Sequence, residues 1–192
     1  MSLLLRPCIA PAQASVLTLL AGLAICEAIE TETGLQAGLK WPNDILLNGK
    51  KLVGILTEMD CDMEKIHSIT LGIGINVQTE VFSEELREIA TSLLLESGKR
   101  FDRAALAGAV LEAFTGLYEA FVSAGGSFAP FRERYGRKCL NIGKEVLVIG
   151  RETYAAQALD ITSEGELLVK RMDTGKTEVV FSGEVSIREN RT

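Results

Sequence analysis

The segment KWPNDILLNGKKLVGILTEM, residues 40–59, places a lysine directly before Trp-Pro and further lysines just beyond a turn signal. Pro42 has no N–H group to donate to a sheet, and it biases Trp41 away from the helical conformation, so a strand that carries Lys40 must stop or turn here. The ammonium of Lys40 is a compact charge with three donors, which suits a site where a carboxylate and a phosphate meet. The alternative interpretation is an edge-strand lysine that protects a sheet from aggregation.

Two glycines follow in the run LGIGINV, residues 71–77. A dinucleotide-binding fingerprint needs a third glycine at the position of Val77, so that interpretation fails. Gly72 and Gly74 still allow a ligand to approach the backbone of a strand end, although they could equally accommodate a neighbouring side chain. His67 is the single histidine and has no acidic or cysteine cluster beside it in sequence, so no metal site and no Ser-His-Asp triad is predicted.

The elements that must position these residues change along the chain. The apolar stretch 12–29 starts after Pro11 and carries no basic n-region, so it predicts a buried core helix that ends near Gly34 rather than a membrane span. Residues 39–76 change to short β-type runs, interpreted as three strands with Asn48-Gly49 as a hairpin turn. Further helices are predicted over 83–96, over 128–135, and after the cap Asp102. The last of these has a core stripe formed by Leu106, Val110, Phe114, Leu117 and Phe121.

The composition changes again after Gly136, where Gly or Asp turns separate short alternating runs. These runs predict a small β-barrel appended to an α+β domain. The charged run RERYGRK, residues 132–138, precedes the boundary and is interpreted as a solvated face, with a binding role as the alternative. The strands are predicted at 145–149, 154–161, 166–171, 177–181 and 185–188.

Bulk properties limit the classes of function. The chain has 192 residues, 47% of them apolar, and a formal net charge of −6 that argues against an electrostatic grip on nucleic acid. Its four cysteines form no C-x-x-C pair, which favours free thiols in a reducing compartment and predicts a cytoplasmic protein.

The motif LKWPNDILLNGKKLVGILTEM followed by LGIGINV is similar to the signature of bacterial biotin protein ligases, and the similarity runs from SLLLRP at 2–7 to SGEVSIR at 182–188. This resemblance implies an α+β fold in which a mixed sheet packs on helices, of the type shared by class II aminoacyl-tRNA synthetases and biotin ligases. It implies a catalytic domain over 1–138 and an SH3-like β-barrel over 139–192.

The resemblance also implies a reaction and its residues. Biotin is activated by ATP with Mg²⁺ to biotinyl-5′-AMP, and biotin is then transferred to a lysine of the biotin carboxyl carrier protein. Lys40 resembles the essential catalytic lysine, which contacts the biotin carboxylate and the α-phosphate. Asn76 resembles the residue that binds adenine, and Lys51 is placed near the phosphates. The residues implied for biotin are Lys40, Ile45, Gly54, Ile55, Leu56, Gly72 and Gly74.

The family pattern places a further segment before MSLLLRP, with a Ser/Thr-Asn stretch and a Gly-Arg-Gly-Arg-x-Gly-Arg loop. The chain is therefore expected to be an N-terminally truncated form. No helix-turn-helix pattern is found, so no DNA partner is expected; no membrane partner is expected either, and a homodimer stays open. Two alternatives remain, which are an inactive or binding-only fragment of this fold and an acyl-adenylate transferase of the lipoate ligase type.

Overall fold

The computed structural model describes residues 1–62 and 65–181, together with the backbone of residues 186–189. Its strands form two five-stranded sheets, a central sheet of order β1-β5-β4-β3-β2 and a C-terminal sheet of order β10-β6-β7-β8-β9. The central strands are β1 (Ser2–Leu5), β2 (Gly38–Lys40), β3 (Asp44–Leu47), β4 (Lys50–Cys61) and β5 (Ile66–Ile75). The C-terminal strands are β6 (Glu145–Ile149), β7 (Thr153–Ile161), β8 (Leu167–Arg171), β9 (Thr177–Val180) and β10 (Ser186–Glu189). The α-helices are α1 (Ala14–Thr33), α2 (Leu93–Ser97), α3 (Arg103–Ser123) and α4 (Arg132–Lys138).

Helix α1 is the centre of the core. It follows a single 3-10 turn that starts at Pro11, and it ends at Gly34, whose φ of 73° fits a left-handed cap. Residues 16–26 are all buried, as expected for a helix that is apolar on every side. The spans Pro11–Thr33 and Arg103–Ser123 have the length and hydropathy of membrane helices. In Pro11–Thr33, however, 78% of the most apolar part is buried inside the protein. The predicted core helix is confirmed.

The central sheet, α1 and α3, which together we call the central domain, form three layers, because α1 lies between one face of the sheet and α3. Asp102 caps α3 by accepting a hydrogen bond from the N–H of Ala104 at 2.7 Å, and the predicted apolar stripe of this helix is buried. Pairing between the named strands is antiparallel, and parallel pairing is confined to isolated bridges such as Leu39 with Cys139. The other face of the sheet carries exposed side chains, among them Leu4 and Leu56.

The hairpin signal at Asn48-Gly49 is confirmed, since both residues have positive φ, 50° and 80°, as a type I′ turn requires. Residues 39–76 contain four strands rather than three, because the Trp-Pro turn separates β2 from β3. Strand β1, which pairs with β5, was not predicted.

The helix predicted over 83–96 is wrong for residues 83–92, and only residues 93–96 are helical, as part of α2. Residues 84–89 form turns, and Leu86 and Ile89 of this segment are 45% and 56% exposed, so the segment has no core on which a helix could pack. Its backbone pairs with Lys51 instead, whose N–H donates to the carbonyl of Ile89 at 2.7 Å and whose carbonyl accepts from Thr91 at 2.9 Å. Helix α2 starts only after this contact, at the cap Ser92.

The five predicted C-terminal strands are observed. Where the structure describes their ends, no end differs from the predicted one by more than one residue. The short helical segment predicted over 128–135 is a 3-10 turn followed by α4, which continues to Lys138. Within the charged run, Tyr135 is buried and Arg134 pairs with Glu27 of α1, so one side of this helix packs on the core. Val185, the first residue of the last predicted strand, lies outside the described residues.

Candidate functional site

The hairpin formed by β2 and β3 presents Lys40 and Asp44 directly opposite each other. A three-residue turn joins the strands, with a cis peptide bond between Trp41 and Pro42. Asn43 closes the turn against β4, because its backbone carbonyl accepts from the N–H of Ile55 at 3.0 Å and its side-chain amide donates to the carbonyl of the same residue at 3.1 Å. The predicted stop of the strand at Lys40 is confirmed.

Lys40 and Asp44 begin a row of residues that crosses four strands. Asp44 pairs with Gly54 of β4, and Gly54 pairs with Gly74 of β5. Because paired residues of antiparallel strands point to the same side, all four positions share one face of the sheet. Their chain neighbours Leu39 and Ile55 point to α1, where an added Cβ on Gly22 would lie 2.9 Å and 3.8 Å from them. The row therefore lies on the face away from α1, which we call the open face.

Glycines form the floor of the open face. A Cβ added to Gly74 would find its nearest neighbour, the carbonyl oxygen of Gly54, at 3.9 Å, and one added to Gly72 would lie 3.7 Å from Leu56. Space above these residues is therefore open, and their backbone is accessible to a flat ligand. Leu56, which pairs with Gly72 and is 61% exposed, adds an apolar side chain beside this floor.

Lys51 reaches the open face because β4 contains a bulge. Strict alternation from Val53 would point Lys51 towards α1, but the register shifts between Ile45 and Leu46, and Lys51 pairs with Leu46. Its ammonium then lies 2.6 Å from the buried Oδ1 atom of Asp44, in an ion pair without hydrogen-bond geometry. The side chain passes over Gly54, because an added Cβ there would lie 3.2 Å from Cε of Lys51.

The row and the neighbouring Lys51 together carry two cations and one carboxylate. Asp44 lies between the cations Lys40 and Lys51 and forms its ion pair with Lys51. Lys40 is half-buried, and within the part of the chain that the structure describes its ammonium makes no hydrogen bond or ion pair. The face therefore offers a cation beside the glycine floor that is free to bind an anion.

Asn76 lies two residues beyond Gly74, where β5 ends. Its N–H donates to the carbonyl of Leu52 and its carbonyl accepts from Leu93 of α2, both at 3.0 Å. The backbone is thereby fixed at the end of the row, and the side chain is half-buried.

Two residues that the resemblance implied for biotin lie elsewhere. Ile45 and Ile55 are 0% and 4% exposed and point to α1, because the alternation of β3 and β4 turns them away from Lys40 and Gly54. Their side chains point away from Lys40, but Ile55 and Leu56 line one cavity, and the expected contact of Ile45 and Ile55 with biotin stays a prediction. The resemblance assigns no role to Asp44, although its spacing of four residues from Lys40 across a turn is the signal that places both on one face.

Comparison with known proteins identifies the family. Residues 1–76 match the family described as Biotin/lipoate A/B protein ligase. The chain is 40% identical over 190 residues to the bifunctional ligase/repressor BirA of Bacillus spizizenii, which covers 97% of this chain and 57% of that relative. It is 30% identical over 192 residues to the biotin–[acetyl-CoA-carboxylase] ligase of Paracoccus denitrificans, covering 95% of this chain and 79% of that relative. The chain belongs to the biotin protein ligase family.

A solved structure of a biotin protein ligase agrees with this membership. The enzyme from Aquifex aeolicus, in complex with biotin and ATP, matches with a TM-score of 0.86 and 30% identity over 98% of this chain and 77% of that chain. The sequence resemblance and the expected arrangement of sheets packed with helices are confirmed. The chain spans 57% of the length of the Bacillus relative.

Proposed function

We propose that this chain carries the catalytic face of a biotin protein ligase. In the first step, a carboxylate oxygen of biotin attacks the α-phosphorus of ATP, the bond to the β-phosphate breaks, and pyrophosphate leaves. In the second step, the amine of a lysine on the biotin carboxyl carrier protein attacks the acyl carbon of biotinyl-5′-AMP, and AMP leaves. The observation that carries the proposal is that Lys40, whose ammonium has no partner among the described residues, shares a row with the glycine floor in a chain of this family.

Lys40 would stabilise charge in the first step. The attacking carboxylate and the α-phosphate are both anionic, so bringing them together is opposed by their repulsion. An ammonium fixed at a strand end lowers this barrier, because it already points to the place where negative charge develops. An ammonium that is not held by a neighbouring carboxylate keeps its donors for the ligand, which favours Lys40 over Lys51 for this role.

The glycine floor would accept the flat parts of the ligands. Without side chains at Gly54, Gly72 and Gly74, biotin and its adenylate can lie against the sheet, with Leu56 as an apolar contact. Asp44 would hold Lys51 over Gly54 as a second cation for the phosphates. Asn76 would offer its amide to adenine at the end of the row, since an amide provides both a donor and an acceptor.

Magnesium would arrive with ATP. Within the residues that the structure describes, no group of three or more His, Cys, Asp or Glu side chains is arranged to hold a metal ion. Asp44 is the carboxylate of the row and is already paired with Lys51. Mg²⁺ usually keeps several waters and is held largely by the substrate phosphates, so Mg-ATP fits this face as a substrate without a protein cage.

Three further assignments accompany this proposal. The C-terminal sheet would form an SH3-like barrel, which the order of its five antiparallel strands supports. The partner would be the carrier protein, whose lysine must reach the open face. A cytoplasmic location is supported by four free cysteines, two of them exposed at Cys8 and Cys61.

The test is pyrophosphate release by the full chain with biotin and Mg-ATP. Lys40→Ala should lower the rate by about 100-fold or more, the scale seen when one preorganised charge-stabilising donor is removed. Lys170→Ala is the matched control, because it removes the same charge from an exposed position of β8 and should leave the rate unchanged. A Lys40→Ala rate equal to that of the parent would contradict the proposed role. Lipoate as the replacement substrate should give no release.

A further inference from the structure

Both chain neighbours of Lys40 are hydrogen-bonded to residues about one hundred positions away. The carbonyl of Leu39 accepts from the N–H of Leu140 at 2.7 Å. The N–H of Trp41 donates to Oδ1 of Asn141 at 2.8 Å, and the indole N–H donates to the carbonyl of Gly165 at 3.0 Å. The strand end that carries Lys40 is therefore held from the C-terminal part of the chain as well as from β3.

These contacts are buried. Trp41 and Asn141 are 1% and 3% exposed, so water cannot replace a lost partner. A buried N–H that loses its acceptor gains no water in exchange, so the hydrogen bond from the Trp41 N–H to the Asn141 side chain is costly to break. The segment that carries Asn141 lies along β2, with a parallel bridge between Leu39 and Cys139. Gly38 permits this approach, because an added Cβ would lie 2.6 Å from the side chain of Leu140.

The carbonyl of Gly165, which accepts the hydrogen bond from the indole of Trp41, is also held in place. Gly165 lies in the turn between β7 and β8, with φ of 86°, and its N–H donates to the carbonyl of Thr162 at 3.1 Å. An added Cβ would lie 2.6 Å from Leu19 of α1 and 3.6 Å from Phe128. The carbonyl that binds Trp41 therefore belongs to a corner packed against the core of the central domain.

We propose that Asn141 and Gly165 are positioning residues that act through Trp41 to fix Lys40 on the open face. This inference rests on the proposed function, since it names the residues that position the same cation. A charge stabilises a reaction best when it needs no reorganisation, so the hydrogen bonds at residues 39 and 41 reduce the movement that would otherwise misplace the ammonium between them. The C-terminal sheet would thus contribute to the first step without touching a substrate.

The experiment compares two substitutions of similar size at one position. Asn141→Leu removes the acceptor of the Trp41 N–H, whereas Asn141→Asp keeps an oxygen there. Arg132→Gln is the matched control, because it breaks another link to the same end of the C-terminal sheet, in which Nε of Arg132 donates to the carbonyl of Ile161 at 2.6 Å and the guanidinium pairs with Asp160. Amide hydrogen exchange of residues 38–46 and the kinetics of pyrophosphate release with biotin and Mg-ATP are measured on the full chain.

Asn141→Leu should raise exchange in residues 38–46 by about 10-fold and lower kcat by about 10-fold, whereas Asn141→Asp should stay within about 2-fold of the parent in both. Arg132→Gln should leave exchange in this segment unchanged. Equal losses in Asn141→Leu and Asn141→Asp, or unchanged exchange in Asn141→Leu, would overturn the positioning role.

The two proposals fail in different ways. If the parent chain releases no pyrophosphate, the proposed function fails, but the exchange comparison still decides whether Asn141 holds the segment of Lys40. If Lys40→Ala lowers the rate and Asn141→Leu changes neither exchange nor kcat, the proposed function stands and this inference is wrong.

Discussion

At the scale of single residues, the open face depends as much on missing side chains as on charged ones. Gly74 pairs with Gly54, and each lacks the side chain that would otherwise cover the sheet between Asp44 and the end of β5. A β-branched residue would ordinarily stabilise such a strand position, so glycine here has a cost in strand stability. This cost is consistent with a face kept clear for a ligand.

Gly74→Val should separate binding from stability. The nearest atom to an added Cβ is 3.9 Å away, so valine fits without a clash and the free energy of unfolding should change by less than about 1 kcal/mol. Its side chain would fill the floor, and the affinity for biotin measured by calorimetry should fall by about 10-fold or more. Ser68→Val is the control, because it adds the same side chain to β5 opposite Asp60, near the other end of the strand. Unchanged biotin affinity in Gly74→Val would mean that the ligand does not use this floor.

The residues of the site differ in how far sequence alone locates them. Lys40 was predictable because Pro42 forces the strand to end, and that reasoning needs no tertiary structure. Lys51 was placed by resemblance, since alternation along β4 points it to the wrong side and only the bulge corrects this. The face that Ile45 takes follows from alternation along β3, but the motif alone does not reveal which of the two faces binds a ligand.

At the scale of elements, the long helices were predictable and the segment after β5 was not. The run of α1 is apolar on every side and the stripe of α3 has helical spacing, so both patterns identify a buried surface. Residues 83–96 show apolar residues at similar spacing, but Ile89 is exposed and the backbone of this segment pairs with Lys51. That pairing joins parts of the chain that local pattern cannot connect.

The burial of two of the four cysteines predicts which thiols react in the folded protein. Cys26 is 1% exposed and Cys139 is 7% exposed, whereas Cys8 and Cys61 lie at the surface. A thiol reagent should therefore label two cysteines in the folded protein and four after denaturation, as counted by mass spectrometry. Labelling of Cys26 in the folded protein at the same rate as Cys8 would contradict the burial of this helix.

The burial of Cys26 also makes the free energy of unfolding depend on pH in the alkaline range. Burial raises the pKa of the Cys26 thiol from 9.0 to about 12, with smaller contributions from Lys138, which lowers it, and Glu27, which raises it. Because the unfolded thiol loses its proton first, the stabilisation is complete below pH 9 and is lost as the pH rises towards 12. Urea unfolding should show a falling free energy from about pH 8 to about pH 10.5, and Cys26→Ala should reduce that slope. An unchanged slope in this variant would assign the effect to other groups.

At the scale of the whole molecule, the two sheets share one packed junction. Trp41 of the central domain and Gly165 of the C-terminal sheet are hydrogen-bonded, and Gly165 also lies against Leu19 and Phe128. Arg132 of α4 adds a second link through the carbonyl of Ile161. The two parts were predictable from the change in composition after residue 136, but their junction was not, since nothing in local sequence pairs Trp41 with a turn 124 residues away. We therefore expect the two sheets to unfold together.

Gly165→Ala tests this coupling. A Cβ at this position would lie 2.6 Å from Leu19 on a backbone with φ of 86°, so strain and overpacking together should lower the free energy of unfolding by about 2–5 kcal/mol. Gly175→Ala is the matched control, because that glycine has φ of 69° with nothing within 4 Å of an added Cβ, and only the backbone cost of about 1–2 kcal/mol should remain. Fluorescence of Trp41, the single tryptophan, reports the junction, while far-UV circular dichroism reports both sheets.

For the parent and both variants, the two signals should give one coincident transition, because a junction buried on both sides cannot open while the central domain stays intact. If Gly165→Ala instead shifted the fluorescence transition to lower urea and left most of the circular dichroism change at the parent midpoint, the junction would open on its own. Lys40 would then lie in a folded central domain while its neighbour Trp41 lacks the hydrogen bond to Gly165. That state would show whether the central sheet alone can hold the ammonium in place.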